Sequence, residues 1–74
     1  MMKFQSKEYM ERVGFACMLL RMKLGKTQRD VAGELDCSPS CISRFEAGEN
    51  DSATILFWYI QHGLDWRIYD ERNV

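Results

Sequence analysis

Residues 27–46 read TQRDVAGELDCSPSCISRFE. Thr27 is an N-cap residue, and Asp30 stands three positions on, a variant of the capping box in which each side chain serves the other's backbone N–H. Val31, Ala32 and Leu35 then form the apolar side of a short helix. Asp36-Cys37 interrupts it. Ser38-Pro39 starts another, because Ser suits the N-cap and Pro the first helical turn, where its missing N–H costs nothing. This helix carries Ile42 and Phe45 inward and stops at Gly48. The stretch therefore predicts two short helices separated by about three residues, with Ala32 small because the two helices cross close to it.

Upstream, Tyr9, Val13, Ala16, Leu20 and Leu24 recur at the three- and four-residue spacing of one helix face. This predicts a first helix over about 6–24, with Ser6 as its cap and Gly25 as a left-handed terminator. Downstream, Glu49-Asn50-Asp51 is a polar link. Ser52 caps a fourth helix over about 52–62, closed by Gly63. A short fifth helix is expected around 65–70. No alternating strand pattern occurs, so the expectation is an all-α single domain, 1–74, a compact bundle of five short helices.

The chain has 74 residues, 46% hydrophobic and 28% charged. A chain near that size buries only about 60% of its unfolded surface, which leaves room for one small core. It is too short for a dinucleotide fold or a barrel. No apolar run approaches the ~20 residues of a membrane span. The first residues run straight into charged sequence, so no signal peptide is expected. Cys17, Cys37 and Cys41 are odd in number, which with that expectation predicts reduced thiols in a cytoplasmic protein.

The net charge of −1 argues against a nucleic-acid partner only as an average. Residues 1–26 hold six bases (Lys3, Lys7, Arg12, Arg21, Lys23, Lys26) and two acids (Glu8, Glu11). Residues 49–74 hold two bases (Arg67, Arg72) and five acids (Glu49, Asp51, Asp65, Asp70, Glu71). From Arg21 to Arg29 there are four bases and no acid.

With these pieces in order, RMKLGKTQRDVAGEL, SPSCISRFEAGEN and ILFWYIQHGLD, the chain resembles the Cro and phage-repressor type of helix-turn-helix DNA-binding domain, the xenobiotic-response-element-like family. The resemblance runs from about Leu20 to Asp65 through Thr-Gln, Val-Ala, Ile-Ser and Phe-Glu-x-Gly. One departure is Asp36, at a turn position where the family usually has Gly. Asp tolerates a left-handed backbone better than most residues, so the turn is costlier but permitted.

The resemblance implies a lambda-repressor-like fold in which helices 2 and 3 form the helix-turn-helix, motif 27–48. It implies binding of double-stranded DNA, usually as a dimer on a two-fold symmetric operator, with helix 3 in the major groove. Carried over by position, Pro39, Ser40 and Arg44 face base edges. Arg44 is the strongest of them, since a guanidinium can bridge guanine O6 and N7. Gln28 matches a position that meets a phosphate and buttresses the recognition helix. Thr27, Ser38 and Ser43 stand near helix starts where phosphate oxygens can be held. Asn50 and Ser52 lie where the linker returns to the DNA backbone, and Lys23, Lys26 and Arg29 form an electrostatic rim. Arg21 and Glu46 match a partly buried ion pair that ties helix 1 to the recognition helix.

Ile55 to Ile60 are six apolar residues in a row, more than one small domain can bury on every side. Ile55, Leu56 and Tyr59 are assigned to the core; Trp58, Trp66 and Tyr69 are expected outside, as a self-complementary homodimer face. Catalysis finds no support: His62 sits at a helix end, and there is no Ser/His/Asp set or phosphate-cradling glycine loop. Cys37 and Cys41 without a second pair make no metal site, and no cofactor is expected. Two functions from different classes remain. One is a small transcriptional regulator, a repressor or controller protein. The other is an antitoxin-like or protein-interaction module that keeps the scaffold and offers its aromatic C-terminal face to a partner such as a toxin.

Overall fold

The computed structural model describes residues 7–65. These form four helices and no strand: α1 Lys7–Lys23, α2 Gln28–Leu35, α3 Pro39–Glu46 and α4 Ala53–Gln61. The fifth helix expected around 65–70, with Trp66 and Tyr69, lies outside the described residues, as does Ser6.

The starts of α2, α3 and α4 are each held by a short side chain. The Thr27 hydroxyl accepts from the Asp30 N–H, and the Asp30 carboxylate accepts from the Thr27 N–H, so both halves of the capping box are made. Ser38 accepts from the Cys41 N–H, with Pro39 at the first position of α3. Ser52 accepts from the Ile55 N–H at the start of α4. Such caps are each worth about 1 kcal/mol. The break between α2 and α3 turns on Asp36, whose backbone is left-handed at φ 58° and ψ 46°. Its N–H, and that of Cys37, both reach back to the Ala32 carbonyl.

The core gathers Val13 and Cys17 from α1, Val31 and Ala32 from α2, Ile42 and Phe45 from α3, and Ile55, Trp58 and Tyr59 from α4, closed by Leu64. The inward side of α1 differs from the one expected. Leu24 lies past the helix end and is exposed. Gly14 and Cys17 are buried in its stead. The reason is a close crossing of α1 and α3. A Cβ on Gly14 would stand 2.3 Å from the Glu46 carbonyl oxygen, and one on Gly48 would stand 2.8 Å from the Glu11 backbone nitrogen. Only glycine lets the two backbones meet there.

Trp58 also corrects the sequence reading. It is buried, not part of an outer aromatic face. Ile55, Trp58 and Tyr59 stand at i, i+3 and i+4, so they share the inner side of α4. The Trp58 indole N–H donates to a Glu34 carboxylate oxygen at 2.9 Å, which satisfies the one polar atom burial would strand. Its ring meets Tyr59 edge to face, centroids 5.0 Å apart, and stacks on the His62 imidazole at 3.9 Å. Phe57 is the residue the run leaves outside, 59% exposed.

Candidate nucleic-acid interface

The Glu46 carboxylate at the end of α3 is buried where all four helices meet. It accepts from the Arg21 guanidinium of α1 at 2.7 and 3.2 Å. It accepts from the Gln28 amide of α2 at 3.0 Å and from the Tyr59 hydroxyl of α4 at 2.7 Å. Arg21 also donates to the Lys26 carbonyl, which holds the α1–α2 connection on the same cation. Burial pushes the Glu46 carboxyl up, but the hydrogen bonds from Arg21, Tyr59 and Gln28 outweigh it and hold the group below its ordinary value. The Glu46 hydrogen bond raises Arg21 in turn, against a smaller opposing effect of burial. Burial first, and then the neighbouring carboxylate, push the Tyr59 phenol far up. The ion pair expected between Arg21 and Glu46 is present, with Tyr59 as a partner the sequence did not announce.

This junction sets the roll of α3 about its axis. With Ile42, Phe45 and Glu46 turned inward, Pro39, Ser40, Ser43 and Arg44 are all exposed. α3 has two charged side chains. Glu46 is hidden and neutralised by Arg21, so the outward side carries the Arg44 cation, two serine hydroxyls and no carboxylate. Ser38 and Ser40 share a hydrogen bond at 3.0 Å. Arg44 lies along the helix towards the Cys41 sulfur at 3.7 Å. The Ser38 hydroxyl and then its backbone lower the Cys41 thiol below its ordinary value, with a smaller contribution from Arg44, whereas burial raises Cys37.

The residues expected to hold phosphates take several positions. Thr27 and Arg29 are exposed at the start of α2, and Ser43 is exposed on α3. Gln28 is turned inward and commits an amide N–H to Glu46, the buttressing half of its expected role. Lys26 pairs with Glu34 at 2.8 Å; that hydrogen bond raises the lysine and lowers the glutamate. Asn50 accepts from the Ser52 N–H at 2.9 Å, and the Ser52 hydroxyl is occupied in capping α4. Lys23 is exposed at the end of α1. Glu34 bridges Lys26 and Trp58, a tie between α2 and α4 that sequence reading missed.

Among the described residues no cluster of His, Cys, Asp or Glu is arranged to hold a metal ion, and no helix is long and apolar enough to cross a membrane. No family model, curated protein or solved structure matches the chain.

Proposed function

We propose that the chain binds double-stranded DNA as a small transcriptional regulator, with α2 and α3 acting as a helix-turn-helix and α3 lying in the major groove. The observation that carries this reading is the outward side of α3. It is a short exposed helix face with one cation, hydroxyls and no acid, fixed in orientation by an ion pair and two further hydrogen bonds on its opposite side. A recognition helix needs that combination, because base contacts must be placed to within a fraction of an ångström by groups that do not themselves touch DNA. Arg44 is the base reader, with Ser40 and Pro39 beside it. Thr27, Arg29, Ser38 and Ser43 take phosphates, and two copies address a two-fold operator.

The alternative of a toxin-binding aromatic face is weakened, since Trp58 is inside and bonded to Glu34. Fluorescence anisotropy with a mixed-sequence duplex tests the DNA reading. Affinity should fall with salt, each neutralised phosphate adding roughly 0.9 to the log–log slope. Arg44→Ala should lose about 1–3 kcal/mol on a preferred site and little on mixed sequence. A duplex that fails to bind at low salt refutes the proposal.

A further inference from the structure

Two of the three cysteines flank the cap of α3. Cys37 stands just before Ser38, and Cys41 lies in the first turn of the helix. Both are partly buried, and their side chains are in contact with one another. They are free thiols, as is Cys17, which is fully buried on α1. Adjacent thiols that solvent can reach are a site of two-electron oxidation, whereas a buried structural cysteine is inert.

The two sulfurs are not equivalent. The Cys41 sulfur accepts from the Ser38 hydroxyl at 3.4 Å and from an Arg44 guanidinium N–H at 3.7 Å. Ser38 accepts in turn from the Cys41 backbone N–H. Its one proton goes to the sulfur when Ser40, 3.0 Å away, donates to Ser38. Two donors, one of them cationic, favour thiolate over thiol, and the Cys41 thiol accordingly lies below its ordinary value, through the Ser38 hydroxyl first. Cys37 is held the other way: burial foremost, then Cys41 and the Asp36 charge, raise it. Cys41 is therefore the thiol suited to attack, and Cys37 the thiol suited to resolve what that attack forms.

We propose that Cys37 and Cys41 are a peroxide-responsive dithiol that closes to a disulfide within one chain. The Cys41 thiolate attacks one oxygen of hydrogen peroxide; an S–O bond forms as the O–O bond breaks, and the departing oxygen takes up a proton and leaves as water. Cys37 then attacks the sulfur of the resulting Cys41 sulfenic acid. The S–S bond forms, the S–O bond breaks, and the second oxygen leaves as water with the Cys37 proton. The thiol pair loses two electrons and the peroxide gains them. The bond joins the α2–α3 turn to the first turn of α3, beside Arg44. It needs no DNA, so this proposal and the preceding one fail separately.

The test treats the full chain with hydrogen peroxide in molar excess, without nucleic acid, and counts thiols after unfolding. The three thiols should fall to one, with Cys17 remaining. Trypsin releases residues 30–44 as one peptide that holds Cys37 and Cys41 and no methionine. That peptide should become lighter by two hydrogens and regain its mass on reduction with dithiothreitol. Cys37→Ser should leave a sulfenic acid on Cys41 that a 1,3-diketone reagent labels, whereas in Cys41→Ser the Cys37 thiol should oxidise several-fold more slowly. Ser38→Asp keeps an acceptor for the Cys41 N–H but replaces the donor to the sulfur by a carboxylate, and should slow disulfide formation several-fold. A chain that retains three thiols overturns the proposal. So does a peptide that gains oxygen without losing hydrogen, and so does a disulfide that joins two chains. Equal oxidation rates in the two cysteine variants, or in Ser38→Asp and wild type, overturn it as well.

Discussion

Replacing Glu46 by Ala is the perturbation with the largest stake in the fold. It removes the acceptor of four hydrogen bonds and the counter-ion of Arg21, whose side chain is only 11% exposed. Removing one member of a buried ion pair costs about 3–5 kcal/mol, mostly because the other charge is left without a partner in a poorly solvated site. A folded chain of this length is stable by about 4–11 kcal/mol at the usual 0.05–0.15 kcal/mol per residue. A wild type near 5 kcal/mol would be left near 1, with about one molecule in six unfolded at 25 °C. Urea unfolding followed by far-UV circular dichroism measures the loss directly. Arg21→Ala supplies the second edge of a double-mutant cycle, in which Glu46→Ala should cost at least 1 kcal/mol less once Arg21 is gone. A loss below about 1 kcal/mol for Glu46→Ala, the usual worth of a solvent-exposed pair, would show that the junction behaves as a surface ion pair and does not hold the four helices together.

The pH dependence follows from the same group. Its folded pKa lies below the ordinary 4.5, so its contribution is whole above about that pH and is lost as pH falls through the lower folded value; the urea midpoint should drop below pH 4.5 in wild type and fall less steeply in Glu46→Gln. Two glycines in helices should respond oppositely to Ala. Gly14→Ala should destabilise by about 1–3 kcal/mol because its Cβ meets the Glu46 and Phe45 carbonyl oxygens, whereas Gly33→Ala, with nothing within 4 Å, should stabilise by about 0.5–1 kcal/mol. Thermal melts of the two variants would decide it, and equal shifts would count against the close crossing. Asp36→Gly should raise stability by about 0.5–1 kcal/mol through relief of the left-handed backbone, and a lower melting temperature would show that the Asp side chain contributes more than it strains.

The helix ends were legible because they are local. Thr27 with Asp30, Ser38 with Pro39, and Ser52 each announce a start within three or four residues, and no later packing overrides them. Asp36 was legible as a costly turn for the same reason. The close α1–α3 crossing was not. A glycine inside a helix reads as a propensity defect until a second backbone is known to lie against it, and only the fold places the end of α3 over Gly14. Trp58 was expected outside because an unbroken apolar run hides its own period. Glu34, 24 residues away, offers the buried indole its acceptor, and nothing in the local sequence announces that pairing. The Arg21–Glu46 pair came from resemblance and not from spacing, since residues 25 apart have no periodic relation. Tyr59 as the third donor to that carboxylate carried no sequence signal beyond an aromatic with a polar tip.

On the proposed function, the outward side of α3 reads duplex DNA. Selection of bound sequences from a random double-stranded pool, run in parallel with wild type and Arg44→Ala, tests it most directly. The prediction is an enriched two-fold motif for wild type, with preference relaxed at one base pair in each half-site for the variant. A pool that shows no enrichment, or a motif the variant reproduces unchanged, would contradict it.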